Sequence, residues 1–62
     1  MEPLLDERTA AALIGCSPAL MRKWRLNHEG PSYRKIGRLV RYAPVDIESF
    51  LETHRVTPGG AQ

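Results

Sequence analysis

Four consecutive residues, Gly15-Cys16-Ser17-Pro18, restrict this chain more than any other stretch. Before them, Asp6 can cap a helix by accepting hydrogen bonds from first-turn amides, and Glu7 adds a charge that suits the helix dipole. The alanines 10 to 12 favour helix and let another backbone approach closely. A helix is therefore predicted over residues 7–14, with Ala10, Ala11, Leu13 and Ile14 on its buried side. Gly15 then ends it, because glycine takes a left-handed conformation without steric cost. Ser17 caps a second helix, and Pro18 fills its first position, where the missing amide proton is no loss. Two helices joined by so short a turn cannot run antiparallel at length. They cross steeply, as a helix-turn-helix.

The second helix is predicted to continue to about Asn27. Ser17, Met21, Trp24 and His28 fall along one side, and Ala19, Arg22, Lys23 and Leu26 fall near the other. One side packs and the other is basic. Asn27 to Pro31 breaks the helical pattern. Residues 33–36 and 39–42 are strand-like, and Gly37-Arg38 between them is a hairpin signal. Val40 and Tyr42 share a face, but whether Lys35 or Ile36 lies over the core depends on the turn type. Pro44 starts a third helix ending near His54, with Ile47, Phe50 and Leu51 as an apolar stripe. The expected fold class is mostly α with a small β-hairpin, in the order α-α-β-β-α. Residues 1–55 form the domain, and residues 56–62, with Pro58-Gly59-Gly60, form a flexible C-terminal tail.

Sixty-two residues fit one domain, which buries only about 60% of its unfolded surface. Hydrophobic residues at 42% and charged residues at 26% suit a small globular fold rather than a disordered chain. The single cysteine, Cys16, rules out an internal disulfide and is expected to fill a small gap in the turn. With His28 and His54 it makes no usual zinc spacing. No apolar run approaches the roughly 20 residues that span a bilayer, and the acidic N-terminus does not read as a signal peptide. A reduced, cytoplasmic setting is expected, with no cofactor, no metal, no membrane and no small-molecule ligand.

Charge is unevenly distributed. Residues 17–42 carry seven basic residues (Arg22, Lys23, Arg25, Arg34, Lys35, Arg38 and Arg41) against one acid, Glu29, a net of +6. The remainder carries Arg8 and Arg55 against Glu2, Asp6, Glu7, Asp46, Glu48 and Glu52, a net of −4. The formal net charge of +2 thus hides one concentrated positive segment, the kind of surface that attracts a phosphate backbone.

The run TAAALIGCSPALMRKWR, followed by GPSYRKIGRLVRY and DIESFL, resembles the small winged helix-turn-helix domains of the excisionase family. These are similar to the DNA-binding domain of mercury-resistance-type (MerR-like) regulators and to phage AlpA-like activators. The resemblance covers roughly residues 4–52. It implies a recognition helix in the major groove and a hairpin wing at an adjacent minor groove. On this chain the recognition helix starts at Ser17-Pro18 and presents Ala19, Arg22, Lys23 and Arg25, and the wing tip is Gly37-Arg38. Pro18, Ala19 and Leu39 stand where relatives often carry polar or basic residues, which bears on base preference and on the number of wing contacts.

The resulting DNA-binding candidates are Ser17, Ala19, Arg22, Lys23, Arg25, Arg34, Lys35, Arg38 and Arg41. Ala19 is small enough to let the helix backbone approach DNA. The planar fork of Arg22 can pair with the two major-groove acceptors of guanine. Arg25, nearer the flank, suits phosphate. Arg38 suits a narrow minor groove, where the negative potential is strongest. Arg34, Lys35 and Arg41 divide between the hairpin faces, with one or two on phosphate. Trp24 is expected in the core, and Tyr33 and Tyr42 are expected to pack the hairpin onto the helices with wet hydroxyls. No nucleophile–base pair, phosphate-cradling glycine loop or paired carboxylate is present, so no enzyme is expected.

The expected function is sequence-specific double-stranded DNA binding without catalysis. The expected roles are a recombination directionality factor (excisionase) or a small transcription regulator of a phage, prophage or other mobile element, associated with the nucleoid. Its partners would be DNA, a site-specific recombinase (integrase) or further copies of itself on DNA. The rival is a protein-interaction adaptor whose basic face docks an acidic partner and whose third helix offers Ile47, Phe50 and Leu51 to a groove.

Overall fold

The computed structural model of the chain describes residues 2–59. Its elements are α1 (Glu7–Ile14), α2 (Pro18–Leu26), β1 (Arg34–Ile36), β2 (Leu39–Arg41) and α3 (Pro44–Thr53). Three helices and a two-stranded antiparallel hairpin, in the order α-α-β-β-α, make a mostly helical winged helix-turn-helix.

Local chemistry explains the helix ends. Asp6 Oδ1 accepts from the Thr9 amide at 2.8 Å and opens α1. The hydrogen bonds from Thr9, the backbone amide first, hold the Asp6 carboxyl below its ordinary pKa. Gly15 closes the helix at φ +90°, and its amide donates to the Ala11 carbonyl at 2.8 Å. Ser17 Oγ accepts from the Leu20 amide at 3.1 Å, with Pro18 in the first turn of α2. Pro44 opens α3 without a side-chain cap.

Strand register answers the question left open by the sequence. Arg34 pairs with Arg41, Lys35 with Val40, and Ile36 with Leu39. Side chains alternate along a strand, so Lys35 shares a face with Val40, which packs on the core. Ile36 and Leu39 lie on the opposite face and are exposed. The strands stop one residue short of Tyr33 and Tyr42. Tyr42 instead exchanges backbone hydrogen bonds with Leu5, at 2.8 and 2.7 Å, which ties the N-terminal segment to the end of the hairpin.

The core consists of Ala10, Ala11, Met21, Tyr42 and Ile47, with Leu5, Ile14, Cys16, Trp24 and Val40 packed around it. The two alanines allow α1 to lie close to its neighbours. Three expectations need correction. Leu13 is 59% exposed. At about 100° per residue it lies roughly 110° round α1 from the centre of the buried stripe set by Ala10, Ala11 and Ile14. His28 is exposed at φ +58°, beyond the end of α2, and so does not extend the packed side. Leu51 is 41% exposed, so the stripe of α3 narrows to Ile47 with a half-buried Phe50. The segment from Val56 to Gly59 is exposed chain without helix or strand. The rest of the expected tail, Gly60 to Gln62, lies outside the described residues.

Candidate nucleic-acid interface

Helix α2 turns Met21 into the core and half-buries Leu20 and Trp24. The opposite side carries Ala19, Arg22, Lys23 and Leu26, all exposed. This is a face with two cations, one small residue and a leucine that is 61% exposed. Ser17 stands at its start with its hydroxyl engaged in capping.

The basic candidates fall into two groups. Arg25 Nε donates to Glu7 Oε2 at 2.9 Å, and the two side chains are only 19% and 22% exposed. Arg34 Nη1 donates to Asp46 Oδ2 at 3.1 Å, tying β1 to α3. Arg41 Nη1 donates to the Val40 carbonyl at 2.8 Å and is half-buried. These three cations are engaged by groups of the protein itself. Arg22, Lys23, Lys35 and Arg38 are exposed and, among the described residues, their side chains make no hydrogen bond or ion pair. Two lie on α2, one on β1 and one in the hairpin turn.

Sequence spacing missed the residue that engages Arg25. Glu7 Oε2 also accepts from the Tyr42 hydroxyl at 3.1 Å. The Arg25 guanidinium lies 6.0 Å from the Tyr33 ring, and the Tyr33 and Tyr42 rings are 6.0 Å apart. Tyr42 is 1% exposed, so its hydroxyl is not wet as expected but bonded to a carboxylate. Burial first, and then the Glu7 hydrogen bond, push the Tyr42 pKa up to about 12. The Glu7 hydrogen bond likewise raises that of Arg25. Glu7 and Arg25 are 18 residues apart on different helices, so no periodicity marks the pair.

A groove of about 640 Å³ beside the hairpin is lined by residues that include Leu4, Tyr33, Arg34, Lys35, Ile36, Pro44 and Val45. Among the described residues, no group of three or more His, Cys, Asp or Glu side chains could hold a metal ion. No helix among them is long and apolar enough to cross a membrane.

No curated protein matches the chain. The sequence model of the helix-turn-helix domain family matches residues 4–55. That span takes in both helices of the turn, the hairpin and α3, and such domains are typically non-enzymatic with DNA as their partner. The chain belongs to the helix-turn-helix domain family.

Proposed function

We propose that the chain binds double-stranded DNA sequence-specifically and performs no chemistry on it. The observation that carries this reading is the sorting of the cations. Arg25, Arg34 and Arg41 are engaged by the protein, whereas the side chains of Arg22 and Lys23 on α2, and of Lys35 and Arg38 on the hairpin, have no partner among the described residues. Arg22 reads a base edge from the major groove, with Lys23 beside it on phosphate or base. Arg38 enters the neighbouring minor groove, and Lys35 meets phosphate. Ala19 lets the helix seat closely, and Ser17 holds its first turn in shape. Arg25, Arg34 and Arg41 act mainly by shaping the surface.

One such module buries little DNA surface, so useful affinity comes from further copies side by side or from a recombinase partner. The resemblance to excisionase-type domains supports a role as a recombination directionality factor or a small promoter regulator of a mobile element, acting on nucleoid DNA in the cytoplasm. An excision assay with a cognate integrase separates the two roles. The adaptor reading is the weaker one, because Ile47 is 2% exposed and Phe50 packs on Trp24 with ring centroids 5.5 Å apart.

A salt titration on a duplex recovered from a random pool tests the proposal. Two to four phosphate contacts give a slope of log affinity against log salt of about −2 to −4, roughly a tenfold to hundredfold loss between 50 and 200 mM. Equal affinity for that duplex, a scrambled one and heparin would overturn sequence-specific binding.

A further inference from the structure

The hairpin meets the rest of the domain through the Leu5–Tyr42 backbone pair and through side chains. Close backbone approaches link α1 with α2, α1 with α3, and the two strands with each other. Besides the core that Val40 and Tyr42 share with Met21, a polar connection between α2 and the end of the hairpin runs through one carboxylate oxygen. Glu7 Oε2, in the first turn of α1, accepts from Arg25 Nε at 2.9 Å in the last turn of α2. It also accepts from the Tyr42 hydroxyl at 3.1 Å, at the residue that follows β2. Arg25 reaches the hairpin by a second route, over the Tyr33 ring.

Such a connection has a chemical consequence. A charged acceptor shared by two donors is strong and directional, and shielding from water strengthens it further. It fixes an orientation, whereas an apolar contact of the same size would tolerate sliding. Nothing in core packing requires a charge here, since Tyr42 would fill the same space without its hydroxyl.

We propose that Glu7 is a positioning residue for DNA binding, setting the offset between the reading helix and the wing through Arg25 and Tyr42 while touching no DNA itself. The inference rests on the DNA-binding reading above. It also assigns Arg25 a different task from its neighbours on α2, because its charge is spent on Glu7 and not on phosphate.

The test is a double-mutant cycle read as affinity for the selected duplex at fixed salt, with thermal melts to establish folding. Tyr42→Phe removes one hydroxyl and keeps the packing. It should weaken binding about fivefold or more. In that background Arg38→Ala should cost less than about twofold, because the wing is already misplaced, while Arg22→Ala should keep its full cost. A merely structural hydroxyl would lower the folded fraction, and the losses from Tyr42→Phe and Arg38→Ala would then multiply independently. That result overturns the inference, as does an Arg38→Ala that costs nothing in the parent protein. Where Tyr42→Phe fails to fold, Glu7→Gln, which keeps an acceptor but loses the charge, runs the same cycle with the same two outcomes. Failure of the parent protein to prefer the selected duplex overturns the DNA-binding reading itself. Preserved preference with independent losses overturns the positioning role alone.

Discussion

Gly30 lies directly against Trp24. A methyl group on Gly30 would stand 3.0 Å from Trp24 Cβ and 3.2 Å from Cε3, and Gly30 sits at φ +83°. The loop that leaves α2 thus folds back over the indole, and the position refuses a side chain on two grounds. Gly30→Ala adds a left-handed strain of about 1–2 kcal/mol to an overpacking cost of about 1–3 kcal/mol. Gly37→Ala, at φ +63° in open space, adds only the strain. Thermal unfolding followed by circular dichroism should therefore rank Gly30→Ala well below Gly37→Ala. Equal melting temperatures would show that the indole moves aside freely.

Trp24 itself joins the loop to α3. It packs on Phe50 with ring centroids 5.5 Å apart at a tilt of 51°, and it flanks the core. Trp24→Ala should cost roughly 3–5 kcal/mol, enough to unfold much of a domain this small. The expected result is loss of the cooperative melt. A variant that melts normally but no longer binds DNA would move Trp24 from the core to the interface.

The parts of this fold that were legible in the sequence are those set by near neighbours. Asp6, Gly15, Ser17 and Pro18 mark helix ends through hydrogen bonds and dihedrals within a few residues, and the structure shows those bonds in place. The split of α2 into a packed and a basic side follows from helical period alone. The sorting of the cations was not legible. Arg25 and Arg34 look the same as Arg22 and Arg38 in the sequence, because what distinguishes them is a carboxylate from another element: Glu7 on α1 or Asp46 on α3. The hairpin register was equally hidden, since a shift of one residue exchanges Lys35 and Ile36. Leu13 was misplaced because a short helix with three alanines leaves the centre of its buried stripe poorly marked.

Tyr42 makes stability fall at high pH. Its folded pKa is raised to about 12 from the ordinary 10.0, first by burial and then by its hydrogen bond to Glu7, with Arg25 pulling the other way. The raised value means that the folded form holds the phenolic proton more tightly than the unfolded chain does. That contribution is complete below pH 10 and is lost as pH rises from about 10 to 12. It amounts to about 2–3 kcal/mol. Melting temperatures measured between pH 8 and 11.5 should drop more steeply for the parent protein than for Tyr42→Phe. Parallel curves would mean that the hydroxyl ionises as easily in the folded state as in the unfolded chain.

Arg22 and Arg34 should behave differently on removal, although both are exposed arginines in the basic segment. The Arg22 side chain has no partner among the described residues, so in a groove its guanidinium is available for a bidentate contact. Arg22→Ala should cost about 1–3 kcal/mol of DNA affinity and relax preference at one base position. Arg34 is balanced by Asp46 at 3.1 Å, so its charge is partly cancelled before DNA arrives. Arg34→Ala should change affinity by less than about 1 kcal/mol, with no change in base preference, and should affect stability only slightly, as exposed ion pairs do. Affinities across a panel of single-base variants of the selected duplex measure both effects. Equal losses for Arg22→Ala on every sequence would assign it to phosphate, and a larger loss for Arg34→Ala than for Arg22→Ala would overturn the division of the cations into engaged and available sets.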